Sequence, residues 1–169
     1  IIAHEMPTKK DHIVFCRLAP EQEAVYKHVL TLSDYVGLIK GDEPCDCNSG
    51  EPRAKCCPLD PTGPLAKWKH PDNDITPGCC PACIMFPAMQ QLQKIANHLS
   101  LIYPEPGPAG GTDDAMYQRQ ADFCRAAFDN ATMDVRRDRS FFEQSHATHC
   151  GKMQVLRVLL KQWKIAGDK

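Results

Sequence analysis

The sequence predicts a mainly α-helical fold with one short N-terminal strand and an inserted cysteine-rich loop. Three observations predict it. Apolar residues recur at helical spacing in four separate segments. A single β-rich run stands near the start. Residues 44 to 83 hold seven of the ten cysteines, many prolines and few large aliphatic residues. That last stretch has too little apolar surface for a core of its own, so something other than hydrophobic burial must staple it.

Each element has a local reason. Residues 11 to 18, Asp-His-Ile-Val-Phe-Cys-Arg-Leu, form the β-rich run. Pro20 suits the first position of a helix, and Glu21 and Glu23 suit its first turn, where the helix dipole favours acids. Val25, Val29, Leu32 and Val36 follow at helical spacing, which predicts an amphipathic helix from 20 to about 40, ended by Gly41 and Pro44. Over 84 to 102, Met85, Met89, Leu92, Ala96 and Leu99 define one helical face. Pro104 to Gly111 reads as a break. Asp113 or Asp114 is a candidate cap for a helix whose face is Tyr117, Ala121, Cys124 and Phe128. A short helix is expected around 138 to 146. A longer one is expected over about 150 to 166, with Met153, Leu156, Leu160 and Trp163 on one side and Gly167 at its end. The organisation is therefore strand plus helix over 1–43, a cysteine-rich insertion over 44–83, and a helical segment over 84–169.

Composition narrows the function. The chain has 169 residues, 20 basic and 21 acidic, for a net charge of -1. That balance argues against nucleic-acid binding driven by bulk charge. No apolar run approaches the roughly 20 residues that cross a bilayer, so no membrane partner is expected. No secretory signal pattern opens the sequence, which favours reduced cysteines in an intracellular setting. The chain begins at Ile1 and stops at Lys169, and is expected to be a piece of a longer protein.

The cysteines carry the strongest chemical signal. Cys45-x-Cys47, eight residues, then Cys56-Cys57 places four thiolates in one tight loop. This donor set suits tetrahedral Zn2+, with Zn–S bonds of about 2.3 Å. With no open coordination position, the zinc would be structural. Asn48-Ser49-Gly50 would reverse the chain between the pairs, and Arg53 and Lys55 would offset part of the negative charge of the four sulfurs. Disulfide bonding is the competing reading; adjacent Cys56 and Cys57 are badly placed to bond each other. Cys79, Cys80 and Cys83 form a second, weaker cluster that could take a metal with His70. Cys16, Cys124 and Cys150 fall in periodic segments and read as small core residues. Lys67-Trp68-Lys69, with Arg53 and Lys55, is a candidate nucleic-acid patch, against the plainer reading of a solvated loop. A cysteine–histidine catalytic pair, from Cys150 with His146 or His149, or from His98 beside Asn97, is the third reading. Histidines at such helix ends more often cap or pack.

Three blocks then resemble one family. Leu18, Pro20, Gln22 and Tyr26 match the strand-then-helix that follows the first ATPase lobe of Swi/Snf-type (SNF2 family) DNA translocases. Leu92, Lys94, Ile95, Asn97 and His98 match the helix written Leu-Arg-Lys-Ile-Cys-Asn-His-Pro there, with Leu99 at the usual Pro. Gly151, Lys152, Leu156, Leu159 and Leu160 match the Ser-Gly-Lys helix that leads into the second lobe, with Cys150 at the Ser. The inserted Cys-x-Cys…Cys-Cys loop is similar to that of fungal relatives of the excision-repair, Cockayne-type branch. It is also similar to the small zinc motif at the C-terminus of the SecA translocase.

The resemblance implies an inter-lobe segment of a nuclear, ATP-dependent DNA translocase of repair or chromatin remodelling. Its partners would be the rest of the parent ATPase in cis, DNA, and a protein partner. Neither a phosphate loop nor a magnesium box occurs in the sequence. The segment by itself is therefore expected not to be an enzyme, with ATP and Mg2+ belonging to the parent. The alternative is a zinc-stabilised protein–protein interaction module without DNA contact.

Overall fold

A computed structural model describes residues 11–57, 60, 62–70, 82–104, 115–128 and 146–167. Seven α-helices are present among them: α1 (Pro20–Val29), α2 (Ser33–Ile39), α3 (Arg53–Cys56), α4 (Pro64–Lys69), α5 (Ala82–Asn97), α6 (Ala115–Ala127) and α7 (Gly151–Ala166). Two 3-10 turns, Leu99–Ile102 and Ala147–His149, extend α5 and precede α7. No strand occurs among the described residues, where the only β-pairing is an isolated antiparallel bridge between Pro44 and Pro52. The mainly helical class is as the periodicities predict. The Asp113 or Asp114 cap, the 138–146 helix, Cys79 and Cys80 lie outside the described residues.

The N-terminal strand does not form. Residues 11–18 belong to no ladder, and Ile13 and Phe15 are 83% and 94% exposed. A strand is stabilised by cross-strand pairs, and none is on offer among the described residues.

The helix expected over 20–40 is broken in two. Thr31 Oγ1 donates to the His28 carbonyl at 2.6 Å, and Leu32 takes an extended conformation as the N-cap of α2. A hydroxyl that bonds nearby backbone competes with helix continuation. The break redirects Asp34 and Tyr35 inward, and both are buried. Tyr35 Oη donates to the Ala88 carbonyl in α5, at 3.2 Å. Asp34 caps α4: its carboxylate accepts from Leu65 N at 2.8 Å and Ala66 N at 3.2 Å. Burial pushes the Asp34 carboxyl above its usual range, and the two amide bonds oppose that. Gly63 sits so close that an added Cβ would lie 2.1 Å from Asp34 Oδ1.

The core gathers Val25, Val29, Tyr35, Leu65, Ile84, Ile95 and Phe123 from five helices, with Leu99 and Ile102 from the 3-10 turn. In α5 the buried face runs through Ile84, Ala88, Gln91 and Ile95, while Met85 and Met89 are exposed. Of the expected face, Leu92 and Leu99 pack in the core, whereas Met85 and Met89 give way to Ile84 and Ala88, one residue earlier. Both rows keep helical spacing, and the stiff β-branched isoleucines face the neighbours. In α6, Ala121 and Cys124 are buried as expected, joined by Phe123 and Ala127. Tyr103 and Phe128 stack with ring centroids 5.7 Å apart.

One polar side chain ties three distant segments. Gln22 is fully buried. Its Oε1 accepts from Ala19 N at 3.0 Å and from Gly151 N at 2.9 Å, and its Nε2 donates to the Ile95 carbonyl at 2.8 Å. The amide thereby closes the start of α1, holds α5 and seats the start of α7. Cys150 Sγ donates to the Asn97 carbonyl, and Lys152 Nζ to Asn97 Oδ1, at the same junction. Gly151 lies against the Arg17 backbone, where a Cβ would come 1.8 Å from the carbonyl oxygen.

Gln22→Ala would strand two buried N–H groups and a carbonyl, each costing about 1–3 kcal/mol. The expected loss is at least ~2 kcal/mol in urea denaturation, with Gly151→Ala also destabilising. A loss under ~0.5 kcal/mol for Gln22→Ala would show that the junction is not holding the helices together.

Candidate metal centre

The loop between α2 and α4 is organised by its backbone. Arg53 N donates to the Glu43 carbonyl, Ala54 N to Gly41, and Cys45 N to Glu51. These bonds close the loop against the end of α2. Asn48 and Gly50 take positive φ values of 59° and 79°. Both are residue types that accept left-handed backbone, so the chain can reverse between the two cysteine pairs. Pro52 then leads into α3, a single turn that carries Cys56.

The reversal brings four sulfurs together. Cys45, Cys47, Cys56 and Cys57 offer ligand atoms all within 4.8 Å of one another. Cys45 Sγ is 3.5 Å from Cys57 Sγ, Cys47 Sγ is 3.1 Å from Cys56 Sγ, and Cys56 and Cys57 are 3.9 Å apart. A tetrahedral Zn–S4 centre needs sulfur–sulfur edges near ~3.8 Å. The quartet is therefore the right size to hold a metal ion, and its chemistry is compatible with zinc. Cys45 is buried, Cys56 and Cys57 are half-buried, and Cys47 is exposed. All four are free thiols.

Proton sharing differentiates them. The Ser49 hydroxyl, followed by Cys56, lowers the Cys47 thiol to about 6. The hydrogen bond with Cys45, followed by those with Cys47 and Cys56, raises Cys57 to about 12. A thiolate at Cys47 would be the first ligand available to an incoming cation, with the remaining protons released on binding.

Arg53 does not act on the sulfurs alone: its Nη2 donates to Asp46 Oδ2 at 2.7 Å. Ser49, whose role the spacing did not indicate, places Oγ 2.9 Å from Cys56 Sγ and accepts from Glu51 N at 3.2 Å. Asn-Ser-Gly was readable as a turn, but the hydroxyl's aim depends on the turn's dihedral angles.

The other candidates are dispersed among different roles. Lys55, Lys67 and Lys69 are exposed, whereas Trp68 is half-buried and packed against the core rather than open for stacking. Cys83, at the start of α5, is disulfide-bonded, which removes its thiolate from the expected second metal cluster, and its Sγ lies 3.3 Å from His70 Nε2. His98 Nδ1 accepts from Ser100 N and caps the 3-10 turn. His146 does the same for Thr148, and His149 pairs with Glu21. Among these contacts the histidines hold helix ends, as their positions predicted. The Cys150 thiol donates to the Asn97 carbonyl.

Comparison with known proteins places these features. No protein-family model matches the chain. No solved structure matches it. It is 33% identical over 173 aligned residues to Switch 2 of Arabidopsis thaliana, covering 99% of this chain and 20% of that protein. It is 28% identical over 169 residues to DNA excision repair protein ERCC-6-like 2 of Mus musculus, covering 100% of this chain and 10% of that protein. The similarity to an excision-repair protein runs the whole length of the chain. It supports the excision-repair relationship read from the three blocks. The chain spans about a fifth and a tenth of these relatives. No described helix is long and apolar enough to cross a membrane.

Ser49→Ala removes the leading contact that lowers the Cys47 thiol. In metal-free protein, the pH midpoint of Cys47 alkylation should rise from about 6 toward the ordinary cysteine range. An unmoved midpoint would show that Ser49 does not set the reactivity of the loop.

Proposed function

We propose that the chain is a zinc-bearing helical segment that couples the two ATPase lobes of a nuclear, Swi/Snf-type DNA translocase of the excision-repair branch. The observation that carries this reading is the meeting of the three matching blocks at one junction. Gln22 belongs to the first block, Ile95 and Asn97 to the second, Gly151 and Lys152 to the third. Gln22 and Lys152 join them through hydrogen bonds of 2.6–2.9 Å. Segments separated by 73 and 129 residues are thereby fixed to one another. A rigid junction of this kind can transmit displacement from one flanking domain to the other. Similarity to ERCC-6-like 2, along the whole of this chain and a tenth of that protein, supports the repair assignment.

In this reading zinc sits in Cys45, Cys47, Cys56 and Cys57 as a structural ion. Bound, it would supply the cross-link that a loop without a core lacks. The Ala54–Gly41 and Arg53–Glu43 backbone bonds join the loop to the end of α2, and Asp34 joins α2 to α4. The loop thus connects to the helical body that carries the junction. ATP and Mg2+ belong to the lobes of the parent, and this segment performs no hydrolysis by itself.

Specific observations favour the protein-contact form of the loop over DNA contact. Arg53 is engaged by Asp46, Trp68 is committed to the core, and Asp42, Glu43, Asp46 and Glu51 make the loop's charge mixed. DNA contact falls to Lys55, Lys67 and Lys69, and would give a steep salt dependence that apolar docking lacks.

The test uses the full-length polypeptide. Cys45→Ser with Cys57→Ser should leave nucleotide binding intact and lower DNA-stimulated ATP hydrolysis by about tenfold, equivalent to ~1.4 kcal/mol. Gln22→Ala should act in the same direction. Undiminished stimulation in both variants would contradict a coupling role.

A further inference from the structure

The four sulfurs of the loop are unevenly spaced. Cys47 and Cys56 lie 3.1 Å apart, and Cys45 and Cys57 lie 3.5 Å apart, both closer than the 3.9 Å between Cys56 and Cys57. A disulfide spans about 2.05 Å, so the first pair would close by about 1 Å and the second by about 1.5 Å. Adjacent cysteines are badly placed to bond each other, so each closure crosses the loop. The two pairs are nested, with sequence separations of 9 and 12. Both bonds therefore fit in one loop and tie together the same two ends of it.

Exposure sets an order. Cys47 is exposed and Cys56 half-buried, whereas Cys45 is only 7% exposed. Oxidation of thiols follows thiolate character and access, so a small oxidant in water meets Cys47 first, with Cys56 as its nearest partner. The backbone of the loop is closed without the sulfurs. The Pro44–Pro52 bridge and the Cys45–Glu51, Arg53–Glu43 and Ala54–Gly41 bonds join main chain to main chain. A change of bonding among the sulfurs therefore leaves the frame that presents them in place.

We propose that the loop is a reversible oxidation site, where a hydroperoxide turns the four thiolates into two nested disulfides, first Cys47–Cys56 and then Cys45–Cys57, and displaces the metal. The displacement rests on the zinc centre proposed above. The Cys47 thiolate attacks the peroxide and breaks its O–O bond, keeping one oxygen as a sulfenic acid and releasing the other as hydroxide. The Cys56 thiolate then attacks the Cys47 sulfur, forms the S–S bond and expels a second hydroxide. The two sulfurs lose two electrons, the peroxide gains them, and two protons from solvent convert both hydroxides to water. A second peroxide does the same at Cys45 and Cys57. A disulfide sulfur is no longer an anionic ligand, so the first bond already removes two of the four donors. The cross-link passes from metal to sulfur, and the loop stays stapled in both states.

The probe is hydrogen peroxide, added to the 169-residue chain and, in parallel, to the full-length polypeptide. Zinc is read by native mass spectrometry and thiols by differential alkylation with tandem mass spectrometry. One equivalent should release the zinc and lower alkylation of Cys47 and Cys56 at least about tenfold below that of Cys45 and Cys57. Excess peroxide should join Cys45 to Cys57 with helicity unchanged in circular dichroism. Dithiothreitol should restore the four thiols, and added Zn2+ should rebind. In metal-free protein, Cys45→Ser with Cys57→Ser keeps the Cys47–Cys56 pair, whereas Cys45→Ser with Cys56→Ser keeps a crossed pair that should close at least about tenfold more slowly. Zinc held through peroxide treatment, equal closure of the two variants, arrest at sulfinic acid, or oxidation of Cys16 in step with Cys47 would overturn the proposal and leave the metal centre standing. Absence of zinc before peroxide would overturn the metal centre, and the displacement with it. If the full-length polypeptide keeps its zinc under peroxide that empties the 169-residue chain, Cys47 is covered in the parent and the proposal fails.

Discussion

The fold depends on a buried amide. Gln22 offers one acceptor and one donor group at the end of a three-bond stem, and the structure uses both against main chain. No other side chain supplies the same set. Glutamate lacks the donor and would bring a charge out of water, and leucine would leave two N–H groups and a carbonyl unpaired. Because all three partners are backbone atoms, the contact reads position rather than side-chain identity. That sets a strict requirement at residue 151, where α7 enters against the Arg17 carbonyl and only glycine leaves room. The same economy recurs elsewhere. Tyr35 reaches the Ala88 carbonyl, His28 contacts the Ala126 carbonyl at 3.0 Å, and Gln120 reaches the Ile102 carbonyl at 2.9 Å. Short helices that individually bury little are held in register by polar side chains that finish one another's backbone.

The cysteine loop obeys a related constraint. It lies between α2 and α4, contributes among its described residues only Cys45 to the buried hydrophobic residues, and is positioned by backbone bonds to residues 41 and 43. Asp34 links the two flanking helices. This carboxylate is held inside by two amide bonds against an unfavourable burial, so its release would uncouple α4 from α2. A metal in the four-sulfur cluster would add a further cross-link at the point where apolar packing runs out.

Periodicity made the helices legible because spacing is local. It could not choose between two adjacent rows of α5, since 85/89 and 84/88 repeat at the same interval. The choice was made by the neighbours α1, α2 and α4. It also overlooked the break after Val29, because Thr31 and Asp34 matter through bonds to His28 and to α4. The β-rich run at 11–18 found no ladder, as strand formation is a property of pairs. The quartet of cysteines was legible because four ligands within thirteen residues leave few geometries. Ser49 and Asp46 were not, because their roles follow from a turn with two left-handed residues.

The central claim about the site is that four named thiols form one closed centre. Native mass spectrometry of the chain purified without added metal tests it most directly, paired with titration of reactive thiols. The account predicts a mass increment of one zinc ion, lost with Cys45→Ser or Cys57→Ser and retained with Cys83→Ser and Cys150→Ser. A bare chain whose Cys45, Cys47, Cys56 and Cys57 all react freely would contradict it, as would an ion lost with Cys83→Ser.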